Sequence, residues 1–109
     1  MKTSYFSKYK ESNGVSIAIG TPKWFKGETF PELFPSWDLV NYYKRTGDEV
    51  GYRERYYEEV LYKLNPTEVY DKLKDKVILC WETSDKFCHR HIVSEWIYEE
   101  LGIIVNEVC

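Results

Sequence analysis

Four consecutive residues toward the end of the chain have side chains that could do chemistry: Cys88, His89, Arg90 and His91. They open a predicted helix directly after a predicted buried strand. The free N–H groups of a first helical turn favour a thiolate and attract anions. An imidazole in the same place can transfer protons. The stretch therefore predicts a site with Cys88 as nucleophile, His89 as general acid or base, and Arg90 as the ligand of an anion.

Helical geometry predicts where these side chains point. His89 lies near the centre of the apolar face of the helix, and Arg90 lies at the flank of that face. Cys88 and His91 are predicted to point farther toward solvent. A histidine on such a face is as often a hydrogen-bonded core residue, and Arg90 could pair with a nearby glutamate, Glu82 or Glu95. A purely structural cluster therefore stays open beside the functional interpretation.

Two other chemical interpretations are weaker. Cys80, Cys88, His89 and His91 are donor types that zinc accepts, but neighbours on a helix project about 100° apart and the chain has no Cys-x-x-Cys pair. A cysteine phosphatase would need an arginine where Lys86 follows Cys80, and glycine in the loop between them. The sequence thus predicts neither a metal site nor a cofactor.

The surrounding elements predict a small single α/β domain over residues 1–109. The predicted strands are a short run over 3–6, then 15–19, 77–81 and 104–108. The predicted helices run from 37 to about 45 after a Ser36 cap, within 48–64, from an Asn65-Pro66 start, and from about 88 to 101 before Gly102. We expect a mostly parallel sheet flanked by helices, with a Rossmann-like strand–helix–strand unit over 77–108.

Ligands of open α/β sheets bind at the carboxyl ends of the strands. This edge should collect Thr21, Lys23 and Trp24 after one strand, and residues 82–90 after another. The long irregular segment over 20–35 is of a kind that is often functional. Trp24 and Trp37 flank most of it, and we expect them to form the wall of a pocket against a flat ligand.

Composition narrows the class of protein. A chain of 109 residues that is 43% hydrophobic and 17% aromatic suits one folded domain. A net charge of −3 argues against nucleic acid as the partner. We expect no signal peptide and no membrane span, because no apolar segment is long enough. Three cysteines are an odd number, which fits a reducing, cytoplasmic location better than a disulfide framework.

Several segments together resemble the bacterial family known as domain of unknown function 488. The most specific are Leu79-Cys80-Trp81-Glu82 and Phe87-Cys88-His89-Arg90-His91, in which a Cys-x-Glu strand end precedes Cys-His-Arg at a helix start. The other matching segments cover residues 3–6, 16–25, 35–37 and 52–57. The resemblance implies an α/β fold and a site formed by Cys80, Glu82, Cys88, His89 and Arg90. It implies no particular reaction.

Two hypotheses about function follow. In the first, the protein binds an anionic small molecule, phosphate-bearing or nucleotide-like, through Arg90, Cys80 and the tryptophans. If it is an enzyme, His89 is the acid or base, and Cys88 or Glu82 is the nucleophile or second acid or base. In the second, it is a non-catalytic interaction protein that sequesters a ligand or binds a protein partner. The tyrosine-rich helical segments over 42–62 would then offer a partner or self-association face.

Overall fold

The computed structural model describes residues 1–108, and Cys109 lies outside the described residues. Five strands form one parallel sheet: β1 (Lys2–Tyr5), β2 (Gly14–Ser16), β3 (Glu28–Thr29), β4 (Val77–Cys80) and β5 (Asn106–Glu107). Their order across the sheet is β3-β2-β4-β1-β5. The expected mostly parallel sheet is confirmed. The single compact domain contains four α-helices besides the sheet.

The centre of the sheet is β4, whose sequence Val-Ile-Leu-Cys is buried at all four positions. Burial on both faces explains why this strand is a continuous apolar run rather than an alternating one. Its neighbours are β1 on one side, with Tyr5 opposite Cys80, and β2 on the other, with Ser16 opposite Leu79. Because all strands are parallel, their carboxyl ends meet at one edge, which we call the carboxyl edge.

The helices are α1 (Trp37–Thr46), α2 (Glu49–Glu59), α3 (Pro66–Leu73) and α4 (His89–Leu101). The predicted caps are present: Ser36 accepts a hydrogen bond from the N–H of Leu39, and Asn65 from that of Glu68. Gly47 and Gly102 end α1 and α4 with positive φ angles of 66° and 70°. A short 3₁₀ turn follows α2, so the helix predicted within 48–64 ends earlier than its apolar pattern indicated.

Strand boundaries differ from the prediction for local reasons. The strand expected over 15–19 ends at Ser16. The Ser16 hydroxyl accepts a hydrogen bond from the backbone N–H of Ala18 at 3.2 Å, which interrupts the hydrogen bonding between strands. The segment over 20–35, expected to be irregular, contains the two-residue edge strand β3 and a 3₁₀ turn at Pro31–Leu33. The last strand is shorter than predicted and pairs with β1. Within residues 1–108, no helix combines the length and the apolar character needed to cross a membrane.

Candidate functional site

The first group of site residues lies where β4 ends and α4 begins. Cys80 is the last residue of β4, and Cys88 is the N-cap residue of α4. Cys88 has an extended backbone, with φ −155° and ψ 148°, so it lies outside the helix proper. The prediction that Cys88 points toward solvent is therefore wrong: helical geometry does not apply to this residue, and its side chain turns inward and is buried.

Cys80 and Cys88 are joined by a disulfide, with their Cα atoms 7.4 Å apart. The odd cysteine count did not predict this bond. Both sulphur atoms are buried at the carboxyl edge, in a cluster with Phe6, Ala18, Val77 and Leu79. The disulfide thus links the end of β4 to the start of α4 inside the fold.

His89 faces the sheet, as predicted. Its Nε2 atom lies 2.7 Å from the carbonyl oxygen of Ile17, the residue that follows β2. A carbonyl only accepts hydrogen bonds, so Nε2 carries the proton and donates it. The other ring nitrogen, Nδ1, lies 3.7 Å from the sulphur of Cys88. Burial, together with the nearby positive charge of Arg90, lowers the pKa of His89 to about 4, so the ring is neutral at pH 7.

Arg90 is fully buried, and all three of its nitrogen atoms have partners. Nε and Nη2 donate to the two carboxylate oxygens of Glu107 at 3.1 and 2.8 Å. Nη1 donates to the sulphur of Cys80 at 2.8 Å. This bidentate pairing fixes the plane of the guanidinium. The proposed pairing with Glu82 or Glu95 is replaced by Glu107, and the role of Arg90 as a ligand for an anion stays a prediction.

Glu107 on β5 is the residue that the sequence interpretation missed. Its carboxylate also accepts hydrogen bonds from the hydroxyls of Thr3 and Ser84. Burial by itself would raise its pKa, but the hydrogen bonds from Arg90, Ser84 and Thr3 lower the pKa to about 2. The carboxylate is thus ionised at pH 7 and balances the buried guanidinium. The sequence feature that could have indicated Glu107 is a single acidic residue within the mostly apolar run over 103–108.

Three half-exposed tryptophans lie at the carboxyl edge near this cluster. Trp24, Trp37 and Trp81 are 52%, 54% and 52% exposed. Phe6 joins two of them, with ring centroids 6.3 Å from Trp24 and 5.4 Å from Trp81. The Trp81 indole N–H donates to the carbonyl of Gly20, and the Trp37 ring packs against the same glycine. We call Trp24, Trp37 and Trp81 the tryptophan surface; Trp81 was not among the predicted residues.

The remaining predicted residues lie at the same edge with different surroundings. The Thr21 hydroxyl is 2.6 Å from that of Ser16 and donates to the carbonyl of Ala18, so it shapes the turn after β2. Lys23 and Glu82 are exposed. His91 is only half-buried, although its Nε2 atom is buried and has no hydrogen-bond partner among the described residues. None of these four side chains contacts the disulfide through a hydrogen bond or ion pair.

Two shallow concavities of the described residues lie away from this cluster. One shallow concavity of about 240 Å³ is lined by Ser94, Glu95, Tyr98, Glu99, Ile104 and Val105. Another of about 350 Å³ lies along α2 and is lined by Arg53, Glu54, Tyr57, Glu58, Tyr62 and Glu99. Neither contains a residue of the carboxyl edge.

The donor atoms at the edge could also hold a metal ion. One sulphur each from Cys80 and Cys88 and one ring nitrogen from His89 all lie within 4.8 Å of one another. All three residues are buried. Thiolates and imidazole nitrogen are the ligands that zinc prefers in proteins.

Fold and site together define a small parallel α/β domain with a Cys–Cys–His–Arg cluster at the carboxyl edge of its sheet. Residues 7–101 match a family model described as DUF488-N3a, the active DUF488-N3 subclade. The chain belongs to this family, which confirms the resemblance to domain of unknown function 488. No curated protein matches the chain significantly. No solved structure does so either.

Proposed function

We propose that the protein is an enzyme that binds an anionic, nucleotide-like small molecule on the tryptophan surface. The observation that carries this proposal is the exposure of three indole rings near the buried Cys–Cys–His–Arg cluster. Trp96, by contrast, is only 3% exposed, so burial is available to tryptophan in this fold. Clustered exposed aromatic rings are typical of binding surfaces, and every nucleobase offers a flat face that can stack on an indole.

Charge near Trp24 favours an anionic ligand. The segments over 6–10 and 17–27 contain no aspartate or glutamate, whereas Glu11 follows the first of them and the loop after β4 carries Glu82 and Asp85. They contribute four exposed lysines, Lys8, Lys10, Lys23 and Lys26. The Lys10 ammonium lies 4.2 Å from the centre of the Trp24 ring. A ligand that combines a flat ring with a phosphate would match both parts of this surface.

The Cys–Cys–His–Arg cluster lies close enough to act on such a ligand. Phe6, which contacts Trp24 and Trp81, packs in the same cluster as Cys80 and Cys88. Trp81 directly follows Cys80 in the chain. The description of the family as an active subclade supports an enzyme over a passive binder. Lysines rather than Arg90 carry the anion in this proposal, because the Arg90 guanidinium is committed to Glu107 and Cys80.

Binding is tested by titrating the protein with nucleoside mono- and diphosphates while recording tryptophan fluorescence and thermal stability. Nucleosides and inorganic pyrophosphate, each alone, separate the contribution of the ring from that of the phosphate. Trp24→Ala should weaken binding about tenfold or more, because stacking of one base contributes about 1–3 kcal/mol. Lys23→Ala with Lys26→Ala should weaken binding about fivefold and reduce its salt dependence.

The matched control is Lys63→Ala with Lys72→Ala, which removes two exposed lysines from other parts of the fold. Its affinity should equal that of the unchanged protein. Turnover of any bound nucleotide should disappear in Cys88→Ser while binding persists. If no nucleotide binds, or if Trp24→Ala and the Lys23 and Lys26 changes leave the affinity unchanged, the proposal is wrong and the interaction-protein alternative is favoured.

A further inference from the structure

We propose that Cys80, Cys88 and His89 bind a zinc ion when the disulfide is reduced. The proposal goes beyond ligand binding on the tryptophan surface and does not depend on it. Two cysteines and one histidine are a donor set that zinc uses in catalytic sites. Their three donor atoms already lie within 4.8 Å of one another in the folded protein. The two sulphur atoms, which are bonded to each other in the disulfide, have to separate on reduction to become two ligands.

The sequence spacing that argued against zinc does not apply in the folded chain. Neighbours inside a helix project about 100° apart, and this made Cys88 and His89 poor joint ligands. Cys88 is the N-cap residue with an extended backbone, whereas His89 is the first helical residue. Their side chains therefore converge, with Nδ1 of His89 3.7 Å from the sulphur of Cys88.

The histidine has the tautomer that a metal ligand requires. Because Nε2 donates its proton to the carbonyl of Ile17 at 2.7 Å, the lone pair of the neutral ring is on Nδ1. This is the nitrogen that faces the sulphur. Metal-binding histidines almost always donate their other N–H to a carbonyl or carboxylate, which fixes the ring orientation. Ile17 provides that contact from the turn after β2.

Arg90 makes a second hydrogen bond that supports a proposed zinc ligand, this time to a cysteine. Its Nη1 donates to the sulphur of Cys80 at 2.8 Å, and such a contact stabilises a thiolate. Glu107 neutralises the guanidinium from its other side. Two thiolates, one Zn²⁺ ion, one arginine and one glutamate carry no net charge. The zinc-bound cluster is therefore electrically neutral, as the disulfide with the Arg90–Glu107 pair is, so zinc binding leaves no uncompensated charge in the interior.

Formation of the site begins with reduction. A dithiol reductant breaks the bond between Cys80 and Cys88, supplies two electrons and two protons, and itself becomes a disulfide. Zn²⁺ then displaces the two thiol protons, which leave to solvent, and forms two zinc–sulphur bonds. A zinc ion with three protein ligands keeps one position for water or a substrate, as in catalytic rather than structural sites. Oxidation of the pair would release the ion.

The test is a zinc titration of the full chain under two conditions. Protein reduced with a phosphine and freed of metal is titrated with Zn²⁺ in competition with a colorimetric chelator, without any nucleotide. We expect one ion per chain with a dissociation constant below about 1 μM. The oxidised protein should bind none. Cobalt(II) substituted for zinc should show thiolate charge-transfer absorption, which reports sulphur ligation directly.

Variants assign the ligands. His89→Ala and Cys88→Ser should each weaken zinc binding at least tenfold, and Cys88→Ser should reduce the cobalt–thiolate absorption. His91→Ala and Cys109→Ser, which leave the proposed donors unchanged, should bind as the unchanged protein does. If the reduced protein with all its cysteines binds no zinc, the proposal is wrong. Full binding in both His89→Ala and Cys88→Ser would also overturn it, whatever the nucleotide titrations show.

Discussion

The guanidinium of Arg90 donates a hydrogen bond to the sulphur of Cys80 at 2.8 Å, and both side chains are buried. The same guanidinium is held on its other side by Glu107. This arrangement links the last strand of the sheet, through the start of α4, to the end of its central strand. Arg90 is thus a positioning residue for the sulphur pair as well as a structural ion-pair partner.

Replacing Arg90 tests how much its buried ion pair with Glu107 contributes to the stability of the fold. In Arg90→Ala the Glu107 carboxylate stays behind without its main partner. We expect a loss of about 3–5 kcal/mol in the free energy of unfolding, measured by urea denaturation, because breaking a buried ion pair leaves an uncompensated charge. Arg53→Ala removes a half-exposed pair with Glu95 and should cost less than about 1 kcal/mol.

A second variant separates charge from packing. Arg90→Met combined with Glu107→Gln removes both charges at once and keeps much of the volume. It should be more stable than Arg90→Ala, since neither charge is then left unpaired. An Arg90→Ala protein as stable as Arg53→Ala would show that the buried pair contributes little.

The Glu107 carboxylate should make stability depend on acid pH. Its pKa is about 2 in the folded protein and 4.5 in the unfolded chain. A depressed folded pKa contributes stability that is complete above pH 4.5 and is lost as pH falls toward 2. We expect this pH-dependent contribution of Glu107 to the free energy of unfolding to be about 2 kcal/mol after allowing for solvent screening. Urea denaturation between pH 7 and pH 2 would measure it.

Glu107→Gln is the reference for that experiment, because it keeps the shape of the side chain but does not titrate. The difference in free energy of unfolding between the two proteins should stay constant from pH 7 to about pH 5 and then shrink. A difference that does not change between pH 5 and pH 2 would contradict the depressed pKa of Glu107.

Local patterns predicted most of the fold because their causes are local. The Ser36 and Asn65 caps, the Gly102 stop and the apolar run of β4 each depend on a few adjacent residues. The strand after Gly14 was predicted too long, because Ser16 turns its hydroxyl to the backbone of Ala18. The edge strand β3 has only two residues, too few to form a detectable pattern.

The sequence predicted which residues lie together at the site better than it predicted which of them contact each other. His89 and Arg90 face the sheet as helical geometry indicated, but the partner of Arg90 is 17 residues farther along the chain. No spacing rule connects Arg90 to Glu107, since β5 pairs with β1 rather than with β4. The inward turn of Cys88 depended on whether it was the first helical residue or the cap, a distinction of one position.

Trp81 should hold the turn after β2 through a single hydrogen bond. Its indole N–H donates to the carbonyl of Gly20 at 2.6 Å, across 61 residues of sequence. Trp81→Phe keeps an aromatic ring but removes the donor, so we expect a loss of about 1 kcal/mol in stability. Amide hydrogen exchange over residues 20–26 should also become faster.

Trp24→Phe is the matched control, because Trp24 contacts Phe6 and Lys10 through its ring. This change should leave hydrogen exchange in the turn unchanged. Equal exchange rates in the Trp81→Phe and Trp24→Phe proteins would mean that the indole hydrogen bond does not hold the turn.

Gly20 offers a way to disturb the tryptophan surface without disturbing the core. A Cβ atom at this position would lie 3.0 Å from Cη2 of Trp37, so the indole must move by a few tenths of an ångström. Because Trp37 is 54% exposed, the ring can move at little cost. Gly20→Ala should therefore change the free energy of unfolding by less than about 1 kcal/mol. If nucleotides bind on this surface, their affinity should fall several-fold in the fluorescence titration.

Gly102→Ala is the control and should lower stability but leave nucleotide affinity unchanged. Its φ of 70° makes a side chain costly by about 1 kcal/mol, and the residue lies at the far end of α4 from the site. Nucleotide affinity that is equal in the two variants would remove Trp37 from the binding surface and leave Trp24 and Trp81 to form it.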